Sequence, residues 1–597
     1  MQRRRFLTNI IGAGFVSIPF NFFSRRIPLH QYNIANGPAK PINIYNNWSS
    51  YDELSDVVKL TEELAMRELN EVVRLKSHGG EIDYYMMDAF WFGKEGGYRT
   101  WNKNHWPDGP DKWLEACKKN YIIPGMWFST NLITMGGQQV LDVIPAWEDS
   151  LATDNNILCL FEGGYLNHLS ETLQMWADKG VGAFKFDFAY FEAATKSAKE
   201  KYSLPEIQEM NKVAFMNMLK ALRARNPHLL IIGYNGFGGE MENTFTPFKK
   251  TVDLRWLEVF DTLYSGDPRF SDVPMMNIWR SQDNYSDHMV RQFEFNGLPI
   301  RRIDNCAFMI GKTGTCYYRA TNAWKGMLIL EFGRGGWSNV FHGNLELLSD
   351  DDMDWFTKVQ RLYLPLQQHA HWSMFGAIPG TGKYYGFKAM EEDGMLLTIV
   401  NPSQSMISET IEHNDFGEGM VLYSDGGFSP SVKNNILLIG PEQLIVIGFG
   451  KYANPQYSLG RDESIRIPGS IEPIEFPFIE NGRNSIRATI NSTSHKNIRL
   501  FFQQFGSDGF PYRTWGGGPP DGKTMDKYFV IRVTQANKII PLTIMYDKMI
   551  WSGLSWAAGE IQQNDYNPNL PINIECSSLE KENLSIKAKL YEVSYDL

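Results

Sequence analysis

The chain has 597 residues, enough for about three domains and a large core. A hydrophobic share of 43% against 21% charged residues excludes a disordered chain. The net charge of -10 speaks against a nucleic-acid partner, because phosphate binding calls for a basic surface. Aromatic residues are abundant, with 17 Trp, 27 Tyr and 37 Phe. Their faces suit stacking on sugar rings, and they also fill large cores.

The first residues read as an address. Gln2-Arg3-Arg4-Arg5-Phe6-Leu7-Thr8 resembles a bacterial twin-arginine signal, and a modest apolar run over 10–20 follows it. That run is too short to span a bilayer, so residues 1–30 are expected to direct the chain to the periplasm or beyond without membrane insertion after processing. The five cysteines are scattered and odd in number, with no CxxC pair, which gives neither a disulfide framework nor a zinc site.

From about residue 40 to 365 strand-like and helix-like segments alternate. Apolar, β-rich runs fall at 42–45, 84–87, 122–128, 183–188, 229–234, 259–264, 307–310 and 340–341. Between them, residues 53–76 place Leu60, Leu64, Met66 and Leu69 at near-helical spacing. Pro205 opens a helix over 204–225, which Asn226-Pro227 closes. Asp350, Asp351 and Asp352 read as acidic residues at a helix start, since they lack the glycine and final glutamate of a calcium loop. Eight strands with intervening helices predict a (β/α)8 barrel. After residue 366 the helical patterns fade. Runs at 395–400, 436–439 and 444–449 predict a small antiparallel domain over 366–453. Strand-rich sequence over 457–597 predicts a terminal β-sandwich-like domain. Gly380–Lys383 and Gly311-Lys312-Thr313 lack the full spacing of a phosphate loop.

The most informative stretch is Phe184-Lys185-Phe186-Asp187-Phe188. As a strand it puts Lys185 and Asp187 on one face and the three phenylalanines on the other. A charged pair in an apolar run needs a reason, because desolvating an ion costs free energy. That reason is either a structural ion pair or a carboxylate nucleophile beside a binding ammonium. Barrel active sites lie at the C-terminal strand ends, where Asp88, Asp187 and Asp267 end the second, fourth and sixth strands. Two carboxylates about 5 to 5.5 Å apart suit retaining glycoside hydrolysis.

The order of several further motifs resembles the α-galactosidase clan, glycoside hydrolase families 27 and 36. Asn46-Asn47-Trp48 resembles its N-x-W motif. Residues 86–93, from Met86 through Asp88 and Trp91 to Gly93, resemble "LDDGWFG". Pro107-Asp108-Gly109 followed by Gly125-Met126-Trp127-Phe128 resembles "PDG" then "GLWF". Residues 180–187 resemble the nucleophile strand "GVDYIKWD". Residues 252–267 resemble, without a gap, the family 36 run "ADLGxLRRxDxVWxSD". Residues 343–352 resemble "GLELDxxxLSEEE". The resemblance covers roughly residues 40 to 450 of the 597. It departs from the family at Ala89, where a second aspartate is common, and the family's large N-terminal β-domain is not expected within these residues.

The resemblance implies a retaining, exo-acting α-glycosidase of α-galactosidase type acting on oligo- or polysaccharides, with no metal or organic cofactor. Asp187 would be the nucleophile and Asp267 the acid/base. Asp88 and Lys185 would hold sugar hydroxyls, Trp91 would stack on the ring or simply pack, and Trp48 and Asn235 would also bind substrate. Trp279-Arg280-Ser281-Gln282-Asp283-Asn284 offers a second match to the acid/base motif, "WTSDN". Asp267 has the longer gapless match and the strand-like lead-in, so Arg280 and Asp283 are expected on the following loop, touching substrate. An α-N-acetylgalactosaminidase, another α-glycosidase of the clan, a sugar transferase and a non-catalytic carbohydrate-binding protein are the alternatives.

Overall fold

The computed structural model describes residues 40–595 apart from 49, 51–58, 136–137, 155, 239–251, 306–307, 312–322, 412–415, 465–466, 492, 516–524 and 545–552. The twin-arginine-like segment, the start of the first predicted helix, Lys312-Thr313, Cys306 and Cys316 lie outside the described residues.

Eight parallel staves run in chain order: β1 (Ile42–Asn46), β2 (Tyr84–Met87), β3 (Ile123–Ser129), β4 (Ala183–Asp187), β5 (Leu230–Gly233), β6 (Thr262–Tyr264), β7 (Ile303–Asp304, resuming at Phe308–Ile310) and β8 (Ser338–Gly343). The first piece of β7 pairs with β6 and the second with β8, while β8 pairs with β1, so the sheet closes into a (β/α)8 barrel. The sixth stave is shorter than the apolar run 259–264 suggests. Asp253 accepts from the Arg255 N–H and starts a single-turn helix over Leu254–Glu258, which takes up the approach to the strand.

Helices α1 (Glu62–Ser77), α2 (Asp111–Lys119), α3 (Tyr165–Asp178), α4 (Lys196–Lys201), α5 (Leu204–Arg225), α6 (Ile278–Phe295), α7 (Trp324–Gly333) and α8 (Asp350–His369) connect the staves or follow the last. Local chemistry sets their ends. Thr61 caps α1 through the Leu64 N–H. Ser203 and Glu206 form a capping box ahead of α5, with Pro205 in its first turn. Ser349 and Asp352 do the same for α8, whose first-turn aspartates also suit the positive end of the helix dipole.

The alternation in β4 is the predicted one through Asp187. Phe184 and Phe186 point away from the barrel axis, Phe184 against Phe128 at 5.5 Å and Phe186 against Phe215 of α5 at 5.3 Å. Phe188 departs from it. The strand ends at Asp187, and Phe188 turns into the left-handed region at φ 49, where its ring packs on Trp127 at 6.2 Å. Bulky residues rarely adopt that conformation, and such strain concentrates at functional sites.

Beyond the barrel the chain is strand. A six-stranded sheet and a three-stranded sheet occupy residues 371–462, antiparallel except where Gly460–Asp462 runs parallel to Met420–Asp425. Two five-stranded antiparallel sheets follow between Ser470 and Ser594. The edge-on alternation of Ser485–Ile490, buried at Ile486, Ala488 and Ile490, is that of a strand with one face inward.

Candidate active site

The C-terminal ends of the staves bring Asp88, Lys185, Asp187, Tyr234, Tyr264, Asp267, Asp304 and His342 to one rim. Lys185 Nζ lies 2.7 Å from Asp88 Oδ2, with both side chains buried. Asp88 is held in turn, its N–H donating to Asn47 Oδ1 at 2.8 Å and its Oδ1 accepting from the Ala89 N–H at 2.9 Å. The Lys185 ammonium also sits 3.9 Å from the ring centre of Tyr234. Tyr234 stacks on Tyr264 at 4.1 Å, and the Tyr264 hydroxyl donates to Asp267 Oδ1 at 3.0 Å. An unbroken chain of contacts therefore crosses the rim from Asp88 to Asp267.

Asp187 is the focus. Its Oδ2 accepts from Trp127 Nε1 at 3.2 Å; its Oδ1 accepts from the Phe188 N–H at 2.9 Å and the Asn235 N–H at 3.2 Å. The last bond exists because two loops touch. The Ala189 N–H donates to the Asn235 carbonyl at 3.1 Å. Gly236, at φ 99, lies so close that a Cβ there would meet the Ala189 carbonyl oxygen at 2.3 Å. Only glycine allows that approach. Burial pushes the Asp187 carboxyl up to about 6 against the pull of Lys185, and the charge of Asp267 pushes it further the same way. Gly266, at φ 119, turns the chain at the end of β6 just before Asp267. His342 on β8 is buried, and burial followed by the Lys185 charge holds its imidazole neutral.

The remaining expected residues fall in different places. Trp48 is half-buried on the turn after β1, its N–H donating to Asn46 Oδ1 at 2.9 Å. Asn235 reaches Asp187 through its backbone rather than its side chain. Asp88 is fully buried and holds Lys185 in place. Trp91 takes the packing place rather than a stacking one. It is 0% exposed, packed 4.9 Å from Trp101 and 5.8 Å from Trp176, with its Nε1 donating to the Trp127 carbonyl. Arg280 and Asp283 likewise are not loop residues touching substrate. Both lie on α6, where Arg280 Nη1 meets Asp283 Oδ2 at 2.7 Å and Nη2 meets Asp425 Oδ2 at 2.5 Å. Their side chains are 1% exposed, so this ion-pair network fastens the barrel to the sheet carrying Asp425.

Trp127, Asn47, Tyr234 and Tyr264 join the site without standing out in the sequence. Strand pairing contains the signal for Trp127: it lies opposite Lys185 in the β3–β4 register, and Ser129 lies opposite Asp187. Among the described residues no cluster of three or more His, Cys, Asp or Glu is placed to hold a metal ion, and no helix is long and apolar enough to cross a membrane.

No family model and no curated protein matches the sequence. Solved structures do match. A family 36 α-galactosidase from Geobacillus stearothermophilus, in complex with stachyose, aligns with 70% of this chain and 57% of its own at a TM-score of 0.51 and 13% identity. An α-galactosidase from Lactobacillus brevis aligns with 69% of this chain and 55% of its own at a TM-score of 0.50 and 13% identity. The chain spans little more than half the length of these structures. Over about 70% of its length the chain shares the fold of these α-galactosidases.

Proposed function

We propose that this protein is a retaining, exo-acting α-glycosidase that removes terminal α-linked galactose from oligo- or polysaccharides. The observation that carries the reading is the pair of carboxylates, Asp187 and Asp267, at and just past the ends of alternate staves on one rim, Asp187 held by Trp127 and Asp267 by Tyr264. In the first step a carboxylate oxygen of Asp187 attacks the anomeric carbon. The glycosidic bond breaks as Asp267 gives its proton to the leaving oxygen. In the second step Asp267 takes a proton from water, whose oxygen attacks the same carbon and releases Asp187. Lys185, fixed by Asp88 and Tyr234, offers its ammonium to sugar hydroxyls. Asp267 is preferred to Asp283 as the acid/base, because Asp283 is sealed against Arg280.

The fold neighbours support the sugar class, since one is an α-galactosidase holding stachyose. Ala89 removes one acceptor found in many clan members, so the substrate panel includes α-N-acetylgalactosaminide beside α-galactoside and α-glucoside. A panel of p-nitrophenyl α-glycosides names the sugar, and NMR of the first-formed product reads the anomer. Retained configuration with Asp187→Ala inactive is the expected result; inverted product, or sugar binding without turnover, sinks the reading. The Gln2–Thr8 stretch supports export as part of the same proposal, tested by cell fractionation of the full chain.

A further inference from the structure

The loop between β6 and α6, residues 265–277, carries Asp267 near its start, and it is held from far along the chain. Arg513 donates through Nε to Asp272 Oδ1 and through Nη2 to Asp272 Oδ2, both at 3.1 Å, and Nη2 also reaches the Phe270 carbonyl at 2.6 Å. The Ser555 hydroxyl donates to Asp272 Oδ1 at 2.7 Å. Trp556 Nε1 donates to the Ser271 carbonyl at 2.9 Å, and Gln503 Nε2 to the Asp272 carbonyl at 2.7 Å. At the far end, the Met276 and Asn277 N–H groups donate to the two carboxylate oxygens of Glu442 at 2.7 and 2.8 Å. Five backbone groups of this loop are thus paired by side chains from residues 442–556, where most surface loops turn such groups to water.

We propose that the C-terminal β-region is a working part of the catalytic centre, with Arg513 as a positioning residue that holds the 268–277 loop and so keeps the Asp267 carboxyl in place beside Tyr264. This rests on Asp267 being the acid/base. A bidentate guanidinium–carboxylate pair is the strongest of the anchors, because its planar fork fixes orientation as well as distance. The paired groups are mostly desolvated, Arg513 being 13% and Asp272 4% exposed, so water competes poorly for them. A carboxyl that must first donate a proton to the leaving oxygen and then accept one from the attacking water tolerates little displacement.

The test uses the full chain with Arg513→Met, and with Ser555→Ala as the milder variant should the first fail to fold. Two substrates of the same sugar are compared, a p-nitrophenyl glycoside, whose leaving group needs little protonation, and an alkyl glycoside, whose leaving group needs it fully. Arg513→Met is expected to lower kcat/KM on the alkyl glycoside on the order of 10- to 100-fold more than on the p-nitrophenyl one. Azide is expected to restore its kcat on the latter, and Arg513→Lys to recover part of the loss. Equal losses on both substrates, or none, overturn the proposal. Hydrogen exchange over 268–277 is read in parallel and does not depend on turnover. Faster exchange confined to that stretch in either variant supports the hold, and unchanged exchange overturns it. A wild-type protein that hydrolyses no α-glycoside defeats the functional reading, while the exchange result still decides whether the C-terminal β-region holds the loop.

Discussion

Trp127→Phe isolates what tunes the nucleophile. Trp127 is buried, its indole lies parallel to the Phe92 ring at 6.2 Å, and its Nε1 gives one of three N–H donations to the Asp187 carboxylate. Phenylalanine keeps an aromatic plane there and removes the donor. A hydrogen bond to a charged group contributes about 1.5–3 kcal/mol, and 3.2 Å lies at the long end for such a bond, so the lower figure applies. At about 1.4 kcal/mol per pKa unit the loss raises the Asp187 pKa by roughly one unit. Asp187 attacks only when ionised, and its carboxyl stands at about 6 in the free protein. The acid limb of kcat/KM should therefore fall near pH 6 in the wild type and move upward, toward roughly pH 7, in the variant. The assay is kcat/KM against pH on a p-nitrophenyl glycoside well below KM. A limb that stays put, or moves to lower pH, would refute the assignment of this bond to the ionised nucleophile.

Lys185→Met leaves Asp88 buried without its cation and is expected to destabilise the fold by about 3–5 kcal/mol in chemical denaturation; Asp88→Asn in the same chain should restore part of that loss, giving a coupling energy by double-mutant cycle. Glu68, buried against the Tyr45 hydroxyl, has its carboxyl raised to about 8, chiefly by burial. Its stabilising contribution is full below the ordinary glutamate range and is lost as pH rises through 8, so Glu68→Gln should gain on the wild type in thermal midpoint as pH rises from 5 to 9. Asp283→Asn is expected to lower thermal stability while leaving the response to azide unchanged, whereas Asp267→Ala should lose turnover and regain part of it with azide. Azide rescue of the Asp283 variant alone would exchange the two roles.

Much of the barrel is local chemistry and was legible residue by residue. The limits of α5 follow from Ser203, Pro205, Glu206 and Asn226, each acting within a turn of its neighbours. The inward pair Lys185 and Asp187 follows from the two-residue period of a strand. Asp253 through Asp267 carried the motif at the end of the sixth stave without a gap. What the chain could not declare by itself is which partner satisfies a buried group when the partner is far away in sequence. Trp91 and Asp88 both end or follow β2, yet one is packed among tryptophans behind the strands and the other holds Lys185 across the rim. Asp267 and Asp283 stand in similar motifs, and only the network of Arg280 with Asp425 shows that the second is a fastening between sheets and barrel. The bonds from Arg513, Ser555 and Trp556 to residues 270–272 have no periodicity to announce them. Local pattern reports the face a side chain takes, because backbone geometry repeats; the identity of its distant partner is decided only when closure of the barrel and docking of the sheets bring the two together.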